Sequence, residues 1–286
     1  MNKRDLRRAG VAGWPISHSR SPVIHRHWLA ELGIAGDYER FAVPPGEFAQ
    51  FAARIGREGL VGSNVTTPHK EAAFALCDRR TAVAQALGAV NTLWREGELL
   101  WGDNTDVEGF LANMDEATPG WAAKTDTAVV FGAGGAARAI VYALVSHGFQ
   151  RTAIINRTEA RAAALATEFG PAAVAVPWNG VPSWLSTADV VVNASALGMS
   201  GRPPLDLDVS QLPERAVVAD IVYVPLRTPL VEAARGRGLR TAEGLGMLLH
   251  QAAPAFARWF GLRPKVTRSL RALVEADVMT AHEDKQ

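Results

Sequence analysis

Short apolar runs alternate along this chain with longer Ala-rich stretches of helical period, which is the pattern of parallel α/β architecture. In the first third, the alternation predicts a strand near Gly10 to Trp14, a helix from Pro22 to Leu32, a strand at Tyr38 to Val43 and a helix from Glu47 to Arg57. A strand at Leu60 to Val65 and a helix from His69 to Cys77 follow. Asn91 to Arg95 and Glu98 to Trp101 read as two short strands closed by a turn at Glu96 and Gly97.

After Asp106 the helical segment Val107 to Met114 leads into TPGWAAKTD, a Pro- and Gly-containing loop of the kind that joins domains. A second α/β run then begins, with apolar cores at Ala128 to Phe131, Ala153 to Ile155, Val174 to Val176, Val190 to Val192 and Val217 to Ile221. Runs apolar on both faces suit a buried parallel sheet. Met247 to Phe260 is Ala-rich and helical in period, with the polar pair His250 and Gln251 on one side.

Composition narrows the class. The 286 residues are 48% hydrophobic and 21% charged, enough for two cores. With 30 basic and 29 acidic residues the formal net charge is +1, which offers no electrostatic case for nucleic acid. The basic stretch from Lys3 to Arg8 reads as a solvated tail. Cys77 is the only cysteine, so no disulfide framework and no thiolate metal site is expected. No metal is expected at the histidines either, because His18, His25 and His27 lack ligand spacing. The opening MNKRDLRRAGVAGWP has no apolar h-region and no run approaches a membrane span, so a soluble, cytoplasmic protein is expected.

The chemistry begins with VVFGAGGAARA at 129–139. Gly132, Gly134 and Ala137 form GxGxxA directly after an apolar strand and before a helical stretch ending at Gly148. Glycine permits the tight turn, and a second glycine removes the side chain that would block a pyrophosphate. The helix N-terminus then presents free N–H groups to anionic oxygens. An acidic residue about 20 residues further on would hold the ribose hydroxyls of NAD. Here the sequence is NRTEAR at 156–161, so Asn156 is neutral, and Arg157 and Arg161 are placed to face a 2′-phosphate. Glu159, at a helix start, is expected to point to solvent.

Upstream lie SHSRSP at 17–22, SNVTTPHK at 63–70 and WGDNTD at 101–106. Ser19 and Ser21 precede a helix, where hydroxyls and backbone N–H groups can bind a carboxylate, although Ser21 reads equally as an N-cap. Asn64, Thr66, Asn91 and Asp106 supply polar groups at the ends of successive apolar segments. Lys70 opens a helix, where a cation opposes the dipole, so something other than helix stability accounts for it.

In order, SHSRSP, GSNVTTPHK, LGAVNT, GDNTD, GAGGAARA, NRTEAR, DIVYVPLRTPL and GLGMLLHQAA resemble the shikimate dehydrogenase family, from about Gly13 to Phe260. The resemblance implies reversible NADPH-dependent reduction of 3-dehydroshikimate to shikimate, in aromatic amino-acid and chorismate biosynthesis. It implies that Ser19 and Ser21 bind the substrate carboxylate and that Asn64, Thr66, Asn91, Asp106 and Gln251 hold ring hydroxyls. Lys70 would be the catalytic acid/base with Asp106 as its partner, and Tyr223 would reach the substrate. Gly132, Ala133, Gly134, Gly135 and Ala136 would cradle the pyrophosphate, while Asn156, Arg157, Thr158 and Arg161 would read the adenosine phosphate. Ile221 and Gly244 would lie near the nicotinamide. Arg26, Val107 and Ser195 depart from the family pattern, where Asn, Gly and Thr are usual.

The expected fold is thus two α/β domains separated by a cleft. A substrate domain spans 1–106 and is completed by C-terminal helices in 245–286, and a Rossmann-like NADP domain spans 107–244. Two rivals are weighed. The paired Ser19 and Ser21, with NRTEAR, argue against an NAD-using quinate/shikimate dehydrogenase. The presence of both Lys70 and Asp106 argues against a noncatalytic NADPH-binding sensor. A specialised substrate analogue, and the choice between monomer and homodimer, stay open.

Overall fold

In the computed structural model, which describes residues 6–283, β1 (Arg7–Gly13) lies at the heart of an N-terminal sheet. On one side it pairs in parallel with β2 (Gly36–Ala42), and on the other with β3 (Gly62–Val65). α1 (Ser21–Glu31) makes the β1-to-β2 crossover and buries Ile24, His25, Trp28 and Leu29. β5 (Thr92–Glu96) and β6 (Leu99–Asp103) are antiparallel and close at the expected Glu96–Gly97 turn. β5 also runs antiparallel to β3, and β4 (Arg79–Arg80) adds in parallel to β6. The sheet, in order β2-β1-β3-β5-β6-β4, is therefore mixed rather than parallel throughout.

The C-terminal sheet is the parallel one. β7 (Thr127–Phe131), β8 (Arg151–Ile155), β9 (Ala173–Ala175), β10 (Val190–Asn193), β11 (Val217–Asp220) and β12 (Arg240–Ala242) pair in the order β12-β11-β10-β7-β8-β9. Val129, Val130, Val191 and Val218 are fully buried, as strands covered on both faces must be. α6 (Gly135–Ser146) packs on β7 and β8 through Ala137, Ala139, Ile140, Ala143 and Leu144, whose small members bring helix and sheet close. The strand order reverses between β7 and β10. Ligands of open α/β sheets sit at the carboxyl ends of the strands at such a point.

Several elements differ from the sequence expectation. The helix expected over 47–57 shrinks to α2 (Phe48–Ala52), because the chain turns back through positive φ at Gly56, Glu58 and Gly59 and Gly56 N–H closes onto the Leu60 carbonyl at 2.7 Å. Arg7 and Arg8 belong to β1 rather than to a tail, and the Arg7 guanidinium bonds to the Trp259 carbonyl; Lys3 and Arg4 lie outside the described residues. α3 (Lys70–Leu76) and α5 (Asp106–Ala117) fall where helices are expected, and α10 (Gly244–Phe260) starts one turn earlier. α4 (Ala82–Leu87), α7 (Glu159–Phe169), α8 (Val181–Leu185), α9 (Pro229–Gly236) and α11 (Arg268–Glu283) complete the helices.

Packing divides the chain into two units. The first holds the described residues up to Thr105 with Leu249–Val274, and the second holds Asp106–Leu248 with the described residues from Glu275. The units part at 105/106 and at 248/249, the latter inside α10, beside the expected divisions at 106/107 and 244/245. The expected assignment of all of 245–286 to the first unit also changes, since residues from Glu275 group with the second. Among the described residues no helix is long and apolar enough to cross a membrane.

Candidate functional site

In the first unit SNVTTPHK and WGDNTD are stitched by backbone to the segment at 90–91. Val65 N–H bonds to the Asn91 carbonyl at 2.7 Å, Asn91 N–H to Asp103 at 2.9 Å, and Val90 N–H to Lys70 at 2.9 Å. The side chains then form a connected, mostly buried set of hydrogen bonds. Ser19 Oγ donates to Ser21 Oγ (3.3 Å), and Ser21 hydrogen-bonds the Tyr38 hydroxyl. Tyr38 donates to Asn64 Oδ1 at 2.7 Å, and Asn64 Nδ2 donates to Thr92 Oγ1 at 3.1 Å. Thr92 donates to Asn91 Oδ1 (2.9 Å) and Asn91 Nδ2 to Thr105 Oγ1 (3.1 Å), and the Thr105 hydroxyl is shared between Asn91 Oδ1 (3.2 Å) and Gln251 Oε1 (3.5 Å). The Tyr38 hydroxyl sets the Asn64 amide from one end, while the Thr105 N–H, donating to Asn91 Oδ1 at 2.9 Å, sets the Asn91 amide from the other.

Three of the five residues expected at ring hydroxyls lie in this arrangement. Asn64, Asn91 and Gln251 are links of the chain; Asp106, the buried first residue of α5, groups with the second unit. Thr66 and Lys70 stand on the segment leaving β3, Lys70 as the first residue of α3. His69, just before it, is buried, bonds through Nε2 to the Val43 carbonyl at 2.7 Å and stacks on Phe48. Ser21 is no N-cap, for α1 begins on it and carries no side-chain cap bond. The Arg26 guanidinium is engaged by Asp37 at 2.7 Å.

His25 is fully buried, with its ring parallel to that of Tyr38 at 4.0 Å and with Trp28, Phe256 and Trp259 around it. Neither ring nitrogen has a hydrogen-bond partner, and burial pushes its pKa down to about 3. It is therefore neutral and serves as aromatic packing beneath the Tyr38 hydroxyl. The same burial holds the Tyr38 pKa well above its ordinary value, opposed by the Ser21 hydrogen bond.

In the second unit the glycine turn stands at the strand-order reversal. Gly132 has φ +121°, and a Cβ there would lie 2.7 Å from the Ala194 carbonyl oxygen, so β7 and the segment after β10 meet through this glycine. At Gly134 a Cβ would meet no atom within 4 Å, which leaves an approach to the N-terminus of α6. Neither α6 nor α7 has a side-chain cap bond, so first-turn N–H groups remain for an anion. At the carboxyl ends of β7, β8 and β10 lies a cavity of about 410 Å³ whose lining includes Gly132, Asn156, Thr158, Arg157, Arg161 and Arg202. No carboxylate lines it, and the three guanidiniums make no side-chain hydrogen bond or ion pair among the described residues. These features fit a phosphorylated nucleotide. Asn156 Nδ2 is committed to the Thr158 carbonyl at 2.9 Å, so it shapes the turn.

Ile221 and Gly244 come together, for a Cβ on Gly244 would lie 2.4 Å from the Ile221 carbonyl oxygen. Asp220 fixes that corner. Its buried carboxylate accepts from Asn193 Nδ2 (3.0 Å), Val222 N–H (2.9 Å) and Thr228 Oγ1 (2.7 Å), while burial raises its pKa. Tyr223, half-buried, follows in the same loop.

The motif reading missed Tyr38, Thr92 and Thr105 as links in the polar chain, and Arg202 and Ser195 as cavity lining. Thr92 and Thr105 lie within the family motifs. Tyr38 and Arg202 lie in none, and only folding brings them in.

A six-stranded parallel sheet with a glycine turn at its reversal point and a cationic cavity beside it defines a dinucleotide-binding α/β protein of the dehydrogenase type. Comparison with known proteins narrows this. Residues 11–93 match the shikimate dehydrogenase substrate binding domain, 116–199 the shikimate/quinate 5-dehydrogenase family and 244–273 the shikimate 5′-dehydrogenase C-terminal domain. A shikimate dehydrogenase (NADP(+)) of Methylocella silvestris is 60% identical over 274 residues, covering 96% of this chain and 98% of the relative. Shikimate 5-dehydrogenase from Thermus thermophilus, in complex with NADP(H) and shikimate, is 35% identical with a TM-score of 0.82, covering 96% of this chain and 100% of that one. Quinate dehydrogenase from Corynebacterium glutamicum, in complex with NAD, is also 35% identical, with a TM-score of 0.86 and coverage of 95% and 99%. The chain belongs to the shikimate dehydrogenase family.

Proposed function

We propose that the chain is an NADP-dependent shikimate dehydrogenase that interconverts 3-dehydroshikimate and shikimate on the route to chorismate and the aromatic amino acids. The observation that carries the substrate assignment is the hydrogen-bonded chain from Ser19 to Gln251. Hydroxyls stand at one end of it and amides along it, which suits a small ring bearing a carboxylate and several hydroxyls. Ser19 and Ser21 take the carboxylate. Asn64, Thr66, Asn91, Asp106 and Gln251 take the ring hydroxyls, and Tyr223 closes on the substrate.

When bound, NADPH supplies the hydride for the ketone carbon. Lys70 donates a proton from Nζ to the ketone oxygen as negative charge develops there, and takes it back in the oxidative direction. Asp106 orients both the ammonium and the substrate hydroxyl. Gly132, Ala133, Gly134, Gly135 and Ala136 would hold the pyrophosphate, Asn156, Arg157, Thr158 and Arg161 the adenosine phosphate, and Ile221 and Gly244 the nicotinamide. The reading carries a cytoplasmic location with it.

NADP rather than NAD is supported by the cavity lining, where Arg157, Arg161 and Arg202 supply positive charge for a phosphate and no carboxylate lines the space. The test is to mix the purified protein with 3-dehydroshikimate and NADPH and follow the loss of reduced-nicotinamide absorbance. Rapid loss that depends on 3-dehydroshikimate supports the proposal, and no turnover overturns it.

A further inference from the structure

The cavity beside the glycine turn has two cationic walls, and the family motif accounts for one. Arg157 and Arg161 come from the segment after β8. Arg202 enters on the loop after β10, from the opposite side of β7. That loop is an ordered turn. Gly198 N–H bonds to the Pro203 carbonyl (2.8 Å), Arg202 N–H to Met199 (2.8 Å) and Ser200 N–H to Val224 (2.9 Å). Its stem is held by Ser195, whose Oγ donates to Asn193 Oδ1 (2.7 Å) and accepts from Leu197 N–H (3.2 Å). Gly201, at φ +78°, supplies the reversal that puts Arg202 on the cavity side.

Arginine on this protein is usually committed. Arg215 is bound by Asp189, Arg26 by Asp37 and Arg235 by Glu243, and Arg40, Arg80 and Arg95 donate to carbonyls. Arg202, like Arg157 and Arg161, has no such partner among the described residues. Three uncommitted guanidiniums facing one space with no carboxylate repel one another until an anion arrives, so their joint presence favours a ligand of high negative charge.

We infer that Arg202 is a specificity-determining residue for the cofactor, a third guanidinium that clamps the 2′-phosphate from the side opposite Arg157 and Arg161. The inference rests on the NADP reading above and extends it, because NRTEAR alone reads the phosphate from one side. A monoester dianion offers three acceptor oxygens, enough for donors from two walls. NAD, with a hydroxyl at that position, gains nothing from Arg202.

The test uses adenosine 2′,5′-bisphosphate and 5′-AMP as probes, titrated calorimetrically into wild type, Arg202→Gln, Arg202→Lys and the exposed control Arg57→Gln. Arg202→Gln is expected to weaken the bisphosphate about tenfold, by the loss of a charge-assisted contact, while 5′-AMP changes less than about twofold. It should also flatten the salt dependence of bisphosphate binding, and Arg202→Lys should restore part of the loss. Undiminished discrimination in Arg202→Gln, or equal losses for both probes, overturns the inference and leaves the NADP reading standing. A wild type that binds both probes equally overturns the two together.

Discussion

The Tyr38 hydroxyl donates a 2.7 Å hydrogen bond to Asn64 Oδ1 from a position between the paired serines and the asparagines. Through it the serine end of the polar chain sets which way the Asn64 amide faces. Replacing Tyr38 with Phe removes the donor, leaves Asn64 Oδ1 unsatisfied and frees the amide to turn. A buried acceptor without a partner costs about 1–3 kcal/mol, so stability should fall by that order, and KM for shikimate should rise about 3- to 10-fold. Steady-state kinetics and urea unfolding check both. An unchanged KM would mean that Tyr38 is packing only.

Lys70→Ala removes the proposed proton donor without touching the nucleotide cavity. Turnover should drop by about 10²- to 10⁴-fold while NADP affinity stays within about twofold. The pair of measurements is kcat for shikimate oxidation and calorimetric NADP binding. Turnover near wild type would remove Lys70 from the mechanism.

Arg157→Ala should weaken NADP by about 10- to 100-fold and NAD little, the range expected for losing one charge-assisted hydrogen bond to a phosphate. Equal losses for the two cofactors would contradict a phosphate clamp in this cavity.

His25 makes stability depend on acid. Its folded pKa is lowered to about 3, while the unfolded side chain has the ordinary value of 6.5. Between those values the unfolded state binds the extra proton, so stability declines as pH falls through the window and is unaffected by His25 above it. A full unit of that window is worth about 1.4 kcal/mol, so His25 should account for about 2 kcal/mol of loss between pH 7 and pH 5. Urea unfolding of wild type and His25→Phe at the two pH values isolates the effect. The same loss in the variant would assign the acid lability to carboxylates instead.

The parallel sheet of the second unit was legible because its strands are buried on both faces and read as unbroken apolar runs. The glycine turn was legible for a related reason, since Gly132 meets the Ala194 backbone too closely for any other side chain. Short elements were harder. β4 has two residues, too few for a period, and α4 has six. Yet α4 carries its own punctuation, with Thr81 capping its start and Gly88 in the left-handed conformation at its end. α9 likewise opens on the Thr228 cap followed by Pro229. Among the site residues, those in motifs were found by their neighbours in sequence. Tyr38 lies in a strand and reads as core, which by burial it is; its role comes from one polar atom at the end of the ring. Arg202 is separated from NRTEAR by more than forty positions and two strands, and a turn built on Gly198 and Gly201 carries it to the cavity.

The most direct measurement is steady-state oxidation of shikimate and of quinate, each with NADP and with NAD, on the purified protein. The cavity without a carboxylate and the polar chain from Ser19 to Gln251 predict that shikimate with NADP dominates the four rates. Comparable rates with quinate or with NAD would contradict that account and place the chain with the broader quinate/shikimate enzymes.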